Sequence, residues 1–298
     1  MHESALFVVA TLSAGTPLAL AALGLLVNER AGVVNLGSEG MMLLGALAGF
    51  AMARAMHGAW IGFAAGALAG AVFAAFLALL IVWLDANQYA AGLGMTLFGA
   101  GLSTMLGTRE VGHALIDGGD SGIAVLGPIL GRLHPLALCV PVLAVAMHLA
   151  LQRTRAGLVL RAVGESPQAA HALGYPVRRI RLAALVVGGA LCGLAGAYLS
   201  EVAAPMWSQG MSAGRGWIAL ALTTFATWRP MRVLLGAYLF GAITALQFRL
   251  QGMGVDVPAQ LLAMMPYLAT IAVLCAMSVR PAWVRANMPA SLGRAFRP

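Results

Sequence analysis

Glu39 has the widest choice of chemistry in this chain. It lies in the stretch Asn28-Glu29-Arg30-Ala31-Gly32-Val33-Val34-Asn35-Leu36-Gly37-Ser38-Glu39-Gly40, where two acids, one arginine, two asparagines and three glycines separate two apolar runs. Hydrocarbon tolerates such a mixture only when protein or water shields it. A carboxylate here can cap a helix start, where the dipole favours it, or line and gate a polar path. Asn35, Asn87, Gln88 and Thr96 can bond a polar solute or join neighbouring helices. With Glu39 they form the candidate path set.

Other chemistry is excluded by what the chain lacks. All 18 basic residues are arginine. Without lysine there is no P-loop amine on a phosphate and no Schiff base. The six histidines are scattered. No His-Glu-x-x-His or serine elbow occurs, so no catalytic set is expected. Cys139, Cys192 and Cys275 each stand alone in an apolar run, which reads as packing and gives no metal site. Gly214-x-Gly216-x-x-Ala219 nearly matches a dinucleotide fingerprint, but no strand precedes it and an apolar run follows it.

The elements that position these residues are set by composition. Of 298 residues, 61% are hydrophobic and 9% charged, whereas soluble domains are about a quarter charged. The expectation is one all-α integral membrane domain over residues 1–298. Nine apolar runs are counted, at about 5–27, 41–53, 59–84, 89–107, 134–151, 182–199, 217–227, 233–248 and 259–279. That predicts about nine transmembrane helices (8–10), with broken or re-entrant pieces, one of them in Gly122–Gly131. Pro17 should kink the first run. Ser38 should cap the second. Glu201 to Gly214 reads as a loop. Gly62, Gly66 and Gly70 align on one helix face, as do Gly45 and Gly49, where a neighbour can approach closely.

The net charge of +8 is orientation information, with no sign of nucleic-acid binding. Arg153, Arg155, Arg161, Arg178, Arg179 and Arg181 crowd the break 152–181, and Arg280, Arg285, Arg294 and Arg297 crowd the tail 280–298. The positive-inside rule puts both in the cytoplasm. An even count of runs between them agrees. The N-terminus then falls outside, and Met1-His2-Glu3-Ser4 lacks the basic region of a cleaved signal.

Inside the basic break, Glu165-Ser166-Pro167-Gln168-Ala169-Ala170-His171-Ala172-Leu173-Gly174-Tyr175-Pro176 is punctuated as a short helix. Ser166 suits the N-cap, Pro167 the first helical position and Gly174 the position after the end. Gln168-Ala169-Ala170-x-x-x-Gly174 resembles the docking loop of ABC importer permeases. Thr154-Arg155-Ala156-Gly157-Leu158-x-Leu160-Arg161-Ala162-Val163-Gly164-Glu165-Ser166-Pro167 is similar to the loop of the branched-chain amino-acid, ribose and nucleoside permease superfamily. Arg30 to Met42, Asn87-Gln88 with Gly92-Leu93, and Ala213 to Ala221 resemble its nucleoside and simple-sugar branch. The resemblance runs from about residue 15 to 280.

That resemblance implies a type II-like importer permease in a bacterial inner membrane. Its partners would be a second, similar permease (a heterodimer), an ATP-binding subunit and a substrate-binding lipoprotein or periplasmic protein. ATP and magnesium would be held by the partner, with no cofactor in this chain. The coupling surface would comprise Arg161, Glu165, Ser166, Gln168, Ala169, Ala170, His171 and Gly174. The path residues would then meet sugar hydroxyls or a base. Branched-chain amino acids are the alternative cargo. A self-sufficient secondary transporter is the rival, and it leaves the docking-like helix unexplained.

Overall fold

The computed structural model describes residues 2–115, 133–253, 258–278 and 287–296. The expected re-entrant piece at 122–131 lies outside the described residues. So do Arg280, Arg285 and Arg297.

Every named element is helical. The first half comprises α1 (His2–Arg30), α2 (Ser38–Met56), α3 (Ala59–Ala78) and α4 (Gln88–Gly107). A π-helical turn, Leu79–Trp83, extends α3. The second half comprises α5 (Pro135–Arg153), α6 (Arg155–Glu165), α7 (Pro167–Ala172) and α8 (Val177–Tyr198). A second π turn, Leu199–Ala203, extends α8. Then come α9 (Arg215–Phe225), α10 (Pro230–Gly252), α11 (Ala259–Ala263) and α12 (Met265–Ser278).

Among the described residues, seven helices are long and apolar enough to cross a membrane. Two of the nine expected spans are thus not met as single long helices. α9 has only 11 residues, too few for a bilayer that needs about 20. The final run divides at Met264 into α11 and α12, beside Pro266, whose ring disfavours helix at the preceding residue and supplies no N–H. Glu201 also departs from expectation: it lies in the π turn that prolongs α8, fully buried, and not in a loop.

α2, α3 and α8 form the close-packed centre. A Cβ on Gly45 would lie 2.3 Å from the Gly193 carbonyl oxygen, and one on Gly70 2.2 Å from that of Gly189. The aligned glycines therefore do what their spacing predicts: without a polar solvent to drive helices together, small residues let backbones meet. α1 packs on α8 and α10 along one side. α4 covers α2 with one face, and turns Leu93, Leu97, Phe98 and Met105 outward.

Candidate functional site

The polar break between α1 and α2 organises the short helix α9 from both ends. Glu39, in the first turn of α2, accepts three hydrogen bonds. Ser212 Oγ and the Gly214 N–H reach Oε1 at 2.6 and 2.8 Å, and the Gly216 N–H reaches Oε2 at 2.7 Å. A carboxylate at a helix N-terminus satisfies orphan N–H groups and meets the positive end of the dipole. The helix so capped is α9, not the one that carries Glu39. Gly214 has φ +77°, and a Cβ on Gly216 would come within 2.7 Å of the Glu39 backbone. Both positions therefore demand glycine.

The other acid of the same break holds the far end. Glu29 is buried and accepts from Thr223 Oγ1 at 2.8 Å and from the Trp228 indole N–H. Next to it, Arg30 donates from Nε and Nη2 to the Trp228 carbonyl at 3.2 and 2.8 Å. Thus α9 hangs between two carboxylates ten positions apart in sequence. Ser38 does not cap α2. That helix starts after Gly37 with no side-chain cap, and the Ser38 hydroxyl donates to the Gly216 carbonyl at 3.2 Å.

The remaining path candidates gather on the extended backbone of the break, with one exception. Thr96 Oγ1 donates to the Leu36 carbonyl at 2.7 Å. Gln88 Oε1 accepts the Val34 N–H at 2.9 Å, and Asn35 Oδ1 accepts the Gly37 N–H at 3.0 Å. Asn35, Gln88 and Thr96 are all buried. Asn87 is exposed and caps α4, accepting from the Tyr89 and Ala90 N–H groups at 2.9 and 3.1 Å.

The candidate coupling residues lie together on α6 and α7. Ser166 Oγ accepts the Ala169 N–H at 3.3 Å, Pro167 opens α7, and Gly174 ends the turn with φ +85°. α7 turns Gln168, Ala169 and His171 outward and buries Ala170. Arg161 Nε donates to the Gly157 carbonyl at 3.4 Å within its own helix, and Glu165 Oε2 accepts the Ala290 N–H at 3.3 Å. Leu158, Leu173 and Tyr175 are exposed beside them.

Two cavities adjoin α9. One, of about 250 Å³, is lined by Ala14, Leu18, Arg215, Thr244, Gln247 and Tyr267 among others. The other, of about 400 Å³, shares Ala14, Arg215 and Thr244 and adds Ser13, Pro17 and Ser208. Ala14 and Thr244 lie near the middles of α1 and α10. Pro17 has no N–H, so the Ser13 carbonyl loses its helical partner beside this space. Small-molecule sites take this form: mostly apolar walls with a few placed polar groups.

Residues 7–274 match the family described as the branched-chain amino acid transport system permease component. The chain belongs to this permease family. It is 39% identical to the putative glucose ABC transporter permease protein TsgC13 of Haloferax volcanii, across 96% of each chain. It is 33% identical to the nucleoside ABC transporter permease protein NupC of Lactococcus lactis subsp. cremoris, over 87% of this chain and 88% of that one. With the guanosine ABC transporter permease protein NupQ of Bacillus subtilis it shares 30% over 90% and 91%. No solved structure matches it.

The permease is therefore a multi-pass ABC transport subunit of the nucleoside and sugar branch, and not an enzyme. Several of its key groups escape sequence reasoning. Glu29, Thr244, Gln247 and Arg181 sit in none of the quoted motifs, and Arg215 lies within one, Ala213 to Ala221, without being singled out. One signal did exist. The close pair Gly214-x-Gly216, a false dinucleotide fingerprint, marks where a backbone must admit a foreign side chain, and that side chain is Glu39.

Proposed function

We propose that the permease forms the membrane path of an ATP-driven importer of nucleosides or simple sugars, and that a separate ATPase drives it through α6 and α7. One observation carries the coupling half of this reading. α7 is a capped, self-contained helix whose outer surface, with Leu173 and Tyr175, is exposed and apolar at its tip. A partner can grip such a helix as a rigid lever. Arg161, Glu165, Ser166, Gln168, Ala169, Ala170, His171 and Gly174 make up that lever and its base.

The path half rests on the pinned helix. A short helix that ends inside the bundle, beside a mid-depth cavity, is the element that discontinuous-helix transporters use around their cargo. Glu39, Asn35, Gln88 and Thr96 hold one wall of that path in place; Asn87 fixes the start of α4 behind it. Arg215, Thr244, Gln247 and Tyr267 offer donors and an aromatic edge to hydroxyls or a base. The substrate names of the relatives favour sugars and nucleosides as cargo, while the family description keeps branched-chain amino acids as the alternative. ATP and magnesium belong to the ATPase, and a substrate-binding protein and a second, similar permease complete the assembly. Arg155 and Arg161 on α6, the flanking Arg153, Arg178 and Arg179, and the arginines of the tail favour a cytoplasmic position for α6, α7 and the tail of a cell-membrane protein.

The test is uptake into vesicles by the permease reconstituted with its ATPase and binding protein, using guanosine, glucose and leucine as labelled probes. Uptake of guanosine or glucose that requires ATP is expected. Uptake by the permease alone, without ATP, would overturn the reading. Gly174→Arg forces a side chain onto φ +85° and should abolish co-purification of the ATPase and reduce uptake by about tenfold or more.

A further inference from the structure

The C-terminal residues 287–296 lie across parts of the molecule that are far apart in sequence and bind each of them. Ser291 binds the end of α6: its N–H and hydroxyl both donate to the Gly164 carbonyl, at 3.0 and 2.6 Å. The Gly293 N–H donates to the Gly32 carbonyl in the α1–α2 break at 3.3 Å. The Arg294 carbonyl accepts from Gln88 Nε2 at 3.3 Å, and Gln88 in turn holds the Val34 N–H. Phe296 ends the run, buried among Val163, Ala170 and Val177, with the His171 ring 5.6 Å away, edge on.

Arg181 locks this crossing. It is buried in the first turns of α8. Its Nε donates to the Ala31 carbonyl at 3.2 Å, its Nη1 to the Arg294 carbonyl at 3.2 Å, and its Nη2 to Ser291 Oγ at 3.3 Å. One guanidinium thus spans α8, the break and the tail, using the fixed fork of donors that lysine lacks. There is no slack around it. A Cβ on Gly32 would lie 2.4 Å from Ser291 Oγ, and one on Gly164 2.2 Å from the Arg30 carbonyl oxygen.

From this we infer that residues 287–296 are a coupling strap, which carries displacement of α7 to the α1–α2 break and the start of α4. The inference rests on the proposed ATP-driven function and goes beyond it. α7 meets the strap through Phe296, and the break and α4 meet it through Gly293 and Arg294. A motion imposed on α7 reaches the residues that pin α9 through this bridge. Phe296, Ser291 and Arg181 are then positioning residues, which touch no substrate. Energetic coupling of this kind runs through contiguous packed and hydrogen-bonded groups with two arrangements.

The experiment uses the complete complex of permease, ATPase and binding protein in vesicles. Phe296→Ala empties the socket on α7, and Phe296→Leu largely refills it. Three quantities are read: ATPase co-purification, ATP hydrolysed, and labelled guanosine or glucose taken up per ATP. For Phe296→Ala the expected result is unchanged co-purification and hydrolysis, with uptake per ATP lower by about threefold to tenfold. Phe296→Leu should restore most of that ratio, and Arg181→Gln should lower it in the same way. An unchanged ratio in Phe296→Ala overturns the strap. So does a parallel fall in assembly, hydrolysis and uptake, which would mark the tail as a plain structural tether. Loss of ATP dependence in the unaltered complex would instead overturn the proposed function.

Discussion

Glu39 opens α2, and Glu201 lays its carboxyl against Gly49 ten residues further along the same helix, about 15 Å away along its axis; the two carboxyls have opposite surroundings. Glu39 accepts from three donors, all on the 212–216 segment that opens α9. Glu201 is fully buried, and its two carboxyl oxygens have no hydrogen-bond partner among the described residues. Where a Cβ of Gly49 or Gly62 would stand, a Glu201 oxygen lies within 2.7 Å. The first acid joins two elements; the second fills a space that glycines leave. Burial alone therefore says little about an acid in this bundle. What matters is whether removing it leaves other groups unpaired.

The widest gap between the two should appear on amide substitution. Glu39→Gln keeps the shape but turns one acceptor oxygen into a donor that faces an N–H. At least one of the Ser212, Gly214 and Gly216 donors is then orphaned, at a cost of roughly 2 kcal/mol. α9 should loosen at its N-terminus, with ATP-driven uptake lower by about tenfold or more and ATPase co-purification unchanged. Uptake at the level of the unaltered complex would reduce Glu39 to a dispensable cap.

A smaller effect is expected at the opposite end of α9. Trp228→Phe removes the indole donor from Glu29 but leaves the Thr223 hydroxyl and the Arg30 contacts to the residue 228 carbonyl. One lost bond to a buried acid is worth about 1–2 kcal/mol. Thermal unfolding of the purified permease should move down by a few degrees, roughly 2–4 °C for a domain of this class, and uptake should fall less than for Glu39→Gln. Equal losses at both ends would mean that α9 moves as one rigid piece. No loss at Trp228 would mean that only its N-terminus matters.

How far the sequence reveals this arrangement depends on the range of the interactions. Ser166, Pro167 and Gly174 announce their helix locally, because caps and turns are settled within a few residues. Gly62, Gly66 and Gly70 announce a close contact by periodicity, though not the partner, which is α8. Glu39 stands out as an intramembrane acid, yet its partners lie 173 to 177 positions away, and no spacing rule reaches that far. Arg181 reads as one more charge in a basic break, whereas its role depends on Ser291, 110 positions later. Among the described residues fewer helices reach spanning length than the nine apolar runs suggest, for a related reason: α9 is as apolar as a spanning helix, and only its 11 residues and its pinned ends set it apart.

The smallest change is expected where the comparison started, at Glu201→Gln. The amide fits the same space between Gly49 and Gly62 and breaks no hydrogen bond, because the carboxyl makes none among the described residues. Ser200, its neighbour, keeps its own bond to the Ala46 carbonyl at 2.8 Å, so the π turn retains its anchor to α2. Uptake and unfolding temperature should both stay close to those of the unaltered permease, within about twofold and about 0.5 kcal/mol. A loss as deep as that of Glu39→Gln would break the contrast. Shape and hydrogen bonds are the same in both forms at this site, so such a loss could come only from the charge or proton of the acid itself. Glu201 would then take part in the transport cycle as an ionisable group, and the π turn that presents it would be a working element instead of packing.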